Sequence, residues 1–544
     1  MRIIGYHISD GLIVNSDGEF CKLPPWLNFL AANKGDSIKT LYHLDYSVAC
    51  LLKMIGLPIE LCKELLETSD LRFDVVDGQF TRLEPDDKNP VGFVVQYIPR
   101  KWFSIKDCST RQWAGFSDML QYHNKALDGQ PPEKYAEIAE ITGQQVYDAL
   151  VKLGLHPKSL SSPISAYSKE VLSQIDLPTV DDLPDDVIEF AYNCIKGAWV
   201  EAFKLGHFDC TWDWDIKTAY GSQLAKCADF RHGKWERSKI YIANAHYGYC
   251  KGVVTIDKPF SPILLNAYSP IGLWEGWLTK AEIDFIDQGE LGDYEIEDGW
   301  WWIPDRDGVL KTPLAPKIGE LYWFKESAED KITDEVAKRC INGIWGKLGE
   351  INPSNKQEKG VYGDLFNPVW YCEVESRVRL KVAEAVLRHN LQDHVLAIKV
   401  DGLLTDCTAP LFKNEMGGWK LSHRCPAVVI GSGLETLRDK KSEAQYALKY
   451  GWLLDQIKTK PQARQYKIKG YSPVTLPVAI IEDRFEDLGK IEKDAVPVKV
   501  NFENKRCYRR EPKNGGELLS NQYNSVPWDA SVVYRLPEPE EAES

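Results

Sequence analysis

Three short segments carry residue types that can do chemistry: DIKTAYGS from Asp215, KRCINGIWGK from Lys338, and IKVDG, which contains Asp401. Asp215 and Asp401 each follow apolar residues at a strand end. Mg2+ prefers hard oxygen ligands and commonly rests on one or two carboxylates plus substrate phosphates, so two strands that bring these acids together would suit it. Two such ions roughly 4 Å apart, with Mn2+ as a substitute, are what phosphoryl transfer onto a sugar hydroxyl requires. The Asp401-Gly402 dipeptide also suits a plain tight turn. On the helix expected around Lys338, positions 338, 342, 345 and 346 share a face, because surface neighbours lie three and four residues apart. That face reads Lys338, Asn342, Trp345 and Gly346. It offers a cation for a triphosphate, an amide and an aromatic ring for a base pair, and a glycine that permits close approach. Lys338 also reads as an ordinary exposed helical lysine.

The elements that must place these residues follow from periodicity. Residues 1 to about 110 alternate β-rich runs (RIIGYHI, VGFVVQYIP, KWFSI) with one helix, YSVACLLKMIG, which implies a small α/β layer. The pattern then turns helical, ending in VIEFAYNCIKGAWVEAF before a strand that begins TWDWDI. Residues 225 to 320 are dense in Gly, Pro and Trp and read as an insertion of short strands and turns whose tryptophans pack inward. DKITDEVAKRCINGIWGKLG is a helix, and VESRVRLKVAEAVLRHNL is another that feeds one apolar strand, HVLAIKVDGLLTD. The acidic end PEPEEAES is expected to lack fixed structure.

Composition bounds the function classes. A chain of 544 residues is long enough for about three to five compact units. The 13 cysteines show no CxxC pair and no zinc spacing, so they read as reduced thiols without a structural metal. No apolar run reaches the roughly 20 residues that span a bilayer, and MRIIGYHISDG lacks signal-peptide features, so a cytoplasmic protein with no membrane partner is expected. A net charge of -14 argues against nonspecific coating of DNA, which needs clustered cations. Two local basic patches, Lys458 to Tyr471 and Lys505 to Lys513, are either solvated loops or nucleic-acid contacts.

Taken in order, the three segments resemble the motifs of family B DNA polymerases. DIKTAYGS is similar to motif A (D-x-x-S-L-Y-P-S), KRCINGIWG to motif B (K-x-x-x-N-S-x-Y-G) and IKVDG to motif C (Y-x-D-T-D-S). Separations of 123 residues (215 to 338) and 63 (338 to 401) suit the protein-primed branch of phages and linear plasmids. IKGAWVEAFKLG, just before motif A, resembles that family's Y-x-G-G-R-x-E-x-F-x-x-G stretch, so the resemblance covers about residues 195 to 425. It implies an α+β multidomain chain, a right-hand polymerase of palm, fingers and thumb behind an N-terminal exonuclease-like (RNase H-like) α/β domain. The implied boundaries are 1–195 for the exonuclease-like domain, 196–320 for palm with its insertion, 321–350 for fingers, 351–435 for palm, 436–515 for thumb and 516–544 for a C-terminal extension.

The resemblance also assigns roles. Asp215 and Asp401 would hold two Mg2+ ions with help from the Ile216 carbonyl. Tyr220 would exclude a 2′-hydroxyl, the group that separates ribonucleotides from dNTPs. Lys338 and Lys325 would meet the triphosphate, and Asn342, Trp345 and Gly346 would line the nascent pair. Lys467, Lys469 and Tyr471, in a segment like the thumb's K-x-K-G, would grip primer-template DNA.

Two departures qualify this. Motif C has Lys399 where its first Asp belongs, and in a continuous strand Lys399 and Asp401 would share a face about 6.6 Å apart. A cation there repels Mg2+, or else holds a phosphate or neutralises Asp401. In the N-terminal region the exonuclease carboxylate positions fall on His7, Ser9, Ser47 and Ala139, so a proofreading-dead scaffold is expected. The sequence therefore reads as a non-proofreading DNA polymerase of a phage or mobile element, acting in the host cytoplasm. The alternative is an impaired, polymerase-derived nucleic-acid-binding or accessory protein. Priming by nucleic acid or by a terminal protein stays open.

Overall fold

Alternating runs such as RIIGYHIS become strands of a nine-stranded mixed sheet in the first of two units into which the chain folds. The computed structural model describes residues 2–9, 12–21, 37–76, 79–83, 92–123, 131–160, 162–305, 310–352, 361–438, 451–460, 463, 465–488, 490–500, 506–508 and 523–527. The first unit comprises Met1–Ser168, Phe324–Cys340 and Tyr471–Asp494. The second comprises Lys169–Trp323, Ile341–Gly470 and Ala495–Ser544. The acidic tail and most of the Lys505 to Lys513 patch lie outside the described residues.

In the first unit, Arg2–Ser9 runs parallel to Ser37–Leu41, which runs parallel to Trp113–Asp118. The hairpin of Phe93–Ile98 and Trp102–Asp107 extends the sheet from there. Helix Leu44–Ile55 starts where the His43 ring accepts the Tyr46 N–H and stops at Gly56, whose φ of 72° lets it close the last turn. Its apolar face, with that of Ile59–Thr68, packs on the alternate residues Tyr6, Ile8, Tyr97 and Phe103 of the sheet.

The second unit is built on a sheet whose path runs through six strands: β1 (Val200–Ala202), β2 (Lys204–Ile216), β3 (Val395–Lys399), β4 (Gly402–Thr405), β5 (Trp419–Val429) and β6 (Glu435–Leu437). Their order is β1-β3-β4-β2-β5-β6. Helices α1 (Ala219–Leu224), α2 (Lys280–Gln288), α3 (Lys331–Leu348) and α4 (Pro368–Arg388) accompany it, α3 lending only its residues from Ile341 onward to this unit. The Trp-rich segment forms a four-stranded antiparallel sheet, with strands of 10 and 13 residues (Tyr247–Ile256 and Gly292–Pro304) rather than short ones. Trp274, Trp301 and Trp302 are fully buried in it, whereas Trp235, Trp277 and Trp300 are only partly buried, so inward packing holds for half of the segment's six tryptophans.

Two expected elements differ. The run VIEFAYNCIKGAWVEAF is helical only over Asp185–Asn193. Gly197 takes a φ of 77°, and its backbone bonds to helix α4 instead of continuing the turn. The expected single strand HVLAIKVDGLLTD is a hairpin, β3 and β4, reversed at Val400 and Asp401. No helix among the described residues is long and apolar enough to cross a membrane.

Candidate active site

TWDWDI is a period-two pattern, so on β2 Trp212 and Trp214 point to one side and Asp213 and Asp215 to the other. Trp214 and Ile216 join the core that includes Ile398 and Leu403. The opposite face is apolar at Phe208, Ala397 and Leu404 and becomes charged at Asp213 and Asp215.

Strand pairing sets a row on that charged face. Lys399 on β3 pairs with Gly402 on β4, Gly402 with Asp215 on β2, and Asp215 with Lys420 on β5. Lys420 Nζ lies 3.0 Å from Asp215 Oδ2, and both side chains are partly exposed. Lys399 Nζ lies 2.5 Å from Asp213 Oδ1 in a more buried setting, with side-chain exposures of 22% and 10%. Glu435 on β6 faces the same pair. Burial pushes its carboxyl up from the ordinary range, opposed by the Lys399 charge and reinforced by Asp213.

Asp401 stands in the hairpin loop, and its carbonyl accepts the Ile216 N–H at 3.1 Å, so the loop is bonded directly to the end of β2 beside Asp215. The expectation that Lys399 and Asp401 share a strand face does not hold, because the chain reverses between Lys399 and Gly402. Val400 takes a φ of 66°, the positive value that such a two-residue turn needs and that Gly usually supplies. Thr218, three residues after Asp215, takes a φ of 53°. A β-branched residue in this region costs about 1–3 kcal/mol, so the surroundings must hold it. Val400 N–H is fixed by the Trp199 carbonyl at 2.9 Å, and Lys217 is bonded at both backbone groups by Gly417 and Gly418.

Three rings pack in series, the first pair tilted at 38° and the second stacked. Tyr220 on α1 lies 4.3 Å from Trp345 on α3, and Trp345 lies 4.6 Å from Tyr371 on α4 with the rings 5° from parallel. Burial first, then the Asp401 charge, raises the Tyr220 hydroxyl above its ordinary value. Burial and then Glu375 push Tyr371 up to about 12. Glu375 is itself raised by burial, countered by Arg379 and by the Gly197 N–H at 3.1 Å. Arg379 also donates to the Gly197 carbonyl at 2.6 Å and to Glu282 at 3.0 Å. These bonds fasten the segment entering β1 to α4 and α2. Gly221 lets α1 approach α3, since a Cβ there would lie 2.5 Å from Ile341 Cγ2.

The structure thus brings Asp215, Ile216, Tyr220, Trp345, Lys399 and Asp401 together within the second unit. Asn342 and Gly346 are exposed on α3. Lys338 is exposed on the part of α3 that belongs to the first unit. Lys325, also in the first unit, is paired with Glu326 at 3.2 Å and Asp334 at 3.5 Å. Lys467 is exposed on the strand Gln465–Pro473, and the side chains of Lys469 and Tyr471 lie outside the described residues. Arg506, counted in a basic patch, is buried instead, 3.3 Å from Glu201 and over the Phe203 ring. Asp213, Lys420, Tyr371 and Arg379 were not singled out from the sequence, although the W-D-W-D alternation signals Asp213.

In the first unit, His7 is buried, with its ring against Tyr135 at 4.9 Å and Tyr46 at 5.9 Å. Burial, then His43, lowers its pKa to about 4, so it is neutral at pH 7. Ser47 and Ala139 are buried and Ser9 is partly so. His394 also meets the adjacent residues Asp406 and Cys407. There Asp406 is already engaged by Lys204 at 2.8 Å and His394 at 2.7 Å.

As oxygen donors, the Asp215 and Asp401 carboxylates and the Ile216 carbonyl fit a hard divalent ion. The Lys420 ammonium on Asp215 marks a position where a cation is already favoured.

No protein-family profile matches the chain, and no curated protein sequence does. Solved structures match by fold. Phi29 DNA polymerase complexed with primer-template DNA and incoming nucleotide aligns at a TM-score of 0.57 and 10% identity, covering 92% of this chain and 100% of the other. Its post-translocation binary complex with primer-template DNA gives 0.56, 12%, 92% and 100%. An orthorhombic crystal form gives 0.51 and 11%, covering 80% and 87%. The chain therefore has a mixed α/β multidomain fold matching that of phi29 DNA polymerase, a right-hand polymerase.

Proposed function

We propose that this chain is a template-directed DNA polymerase that extends a primer 3′-hydroxyl, or a protein primer, with dNTPs. The observation that carries the reading is the direct bond between the Asp401 loop and the end of β2, which ties the backbone of the Asp401 turn to the strand that carries Asp215. Asp215, Asp401 and the Ile216 carbonyl would hold two Mg2+ ions, for which Mn2+ would substitute. When bound, such ions would lower the pKa of the primer hydroxyl and offset the charge of the triphosphate. Tyr220 closes the sugar side of the site, and Trp345 keeps it in place. Asn342 and Gly346 line the nascent pair. Lys338 and Lys325 meet the triphosphate, and Lys467, Lys469 and Tyr471 grip primer-template DNA, roles that rest on the motif resemblance. The palm, fingers and thumb boundaries given above belong to the same proposal.

The chain does not proofread, since an imidazole, two hydroxyls and a methyl group stand where metal-binding carboxylates are needed. It serves a phage or mobile element in the host cytoplasm, with a terminal protein as a candidate partner. Primer extension by the purified chain tests the activity. Incorporation should require Mg2+ or Mn2+, vanish in Asp215→Asn and Asp401→Asn, and proceed without degradation of the primer's 3′ end. No incorporation with either ion would overturn the proposal. Tyr220→Ala should admit ribonucleotides.

One observation favours a second reading, a nucleic-acid-binding protein without chemistry. Both Asp213 and Asp215 already hold a lysine. DNA binding with no extension, not restored by Lys399→Asp, would support it.

A further inference from the structure

The row on the charged face contains a hazard for a divalent ion. Lys399 and Asp215 are separated only by Gly402 on the strand between them. Two strand spacings of about 4.8 Å put their Cα atoms roughly 10 Å apart. An extended lysine and an aspartate together span about that distance, and glycine raises no side chain between them. The Lys399 ammonium can therefore reach Asp215, which Lys420 already contacts from the other side. With both lysines on the row, Asp215 would be enclosed by cations.

We infer that Asp213 is a positioning residue whose task is to hold the Lys399 ammonium away from the Asp215 and Asp401 carboxylates, leaving them open to a divalent ion. Asp213 stands two residues before Asp215 on the same face of β2, about 6.6 Å along the strand. It takes Lys399 at 2.5 Å, and the pair is more buried than Asp215 with Lys420. Glu435, across the sheet on β6, adds a second carboxyl near that ammonium. Burial makes the hold tight, because an ion pair removed from water is screened less than an exposed one. A lysine next to a metal site is tolerable on these terms only while its own acid is present.

The inference rests on the metal-site reading above, and its test separates the two. Mn2+ binding to the full-length chain is followed by electron paramagnetic resonance, counting the ion that the wild type holds and Asp401→Asn loses. Asp213→Asn, which keeps the shape and one acceptor oxygen, should weaken that binding at least tenfold. Adding Lys399→Met to Asp213→Asn should restore it to within about threefold of wild type, and Lys399→Met alone should bind at least as tightly as wild type. A purely structural role for Asp213 predicts no rescue by the second change. Unchanged binding in Asp213→Asn, absence of rescue, or weaker binding in Lys399→Met would each overturn the inference while leaving the metal site intact. A wild-type chain that binds no Mn2+ lost in Asp401→Asn would overturn the metal-site reading and this inference with it. Because Lys399→Met needs no buried acid to be removed, it keeps the idea falsifiable even if Asp213→Asn fails to fold.

Discussion

Lys420→Met removes the ammonium that lies 3.0 Å from Asp215 Oδ2 while keeping most of the side-chain stem. The side chains are 41% and 35% exposed, so the attraction is heavily screened. Unit charges at about 4 Å in water gain roughly 1 kcal/mol, and exposed pairs measure about 0.2–1 kcal/mol once side-chain ordering is included. A divalent ion arriving at Asp215 must displace that bond. Its loss should therefore tighten Mn2+ binding by at most about fivefold, since 1.4 kcal/mol is tenfold. Calorimetric titration at about 0.05 M and 0.5 M salt reads both the gain and its screening. At the higher salt the Debye length falls to about 4 Å and most of the difference should disappear. A gain above tenfold, or one indifferent to salt, would refute the screened-pair reasoning. Weaker binding in Lys420→Met would mean that the lysine supports the site rather than competing for it.

Trp345→Leu breaks two ring contacts worth about 0.5–1.5 kcal/mol each, so unfolding stability should fall by about 1–3 kcal/mol in a denaturant titration. If Trp345 positions Tyr220, discrimination against ribonucleotides should fall as well; unchanged discrimination would separate the two residues. Asp118, raised to about 7 chiefly by burial, binds its proton more tightly folded than unfolded. Its contribution to stability is thus full below about pH 4 and lost as pH rises toward 7, by up to about 4 kcal/mol. Asp118→Asn should flatten that part of the melting-temperature profile between about pH 4 and 7. Arg506→Met leaves Glu201 buried without its cation and should cost about 3–5 kcal/mol, measured by chemical unfolding.

The long helices were legible because their periodicity is strong: α3 covers the predicted DKITDEVAKRCINGIWGKLG run, and α4 contains most of VESRVRLKVAEAVLRHNL. The apolar run through Asp401 was misread as one strand for a local reason. A glycine at 402 signals a turn, but the residue that takes the positive φ is Val400, among the least expected types there. The carboxylates of the site were visible as motif residues. Their neighbours were not, because Lys420 and Asp213 meet Asp215 and Lys399 only through strand pairing across about 200 residues of chain. Arg506 looked like part of a basic patch, while its partner Glu201 lies 305 positions away. Local pattern reports which face a residue takes, not what the sheet places beside it.

Counted as formal charges rather than as ligands, the row carries a restriction of its own. Asp213, Asp215, Asp401 and Glu435 bring at most four negative charges and Lys399 and Lys420 two positive ones, so the face presents at most two net negative charges. One divalent ion already balances that. For the proposed chemistry, a second ion can settle only if it arrives with its own counter-charge, which a nucleoside triphosphate carries. Electroneutrality alone would then make the second metal a companion of the nucleotide and not a resident of the protein.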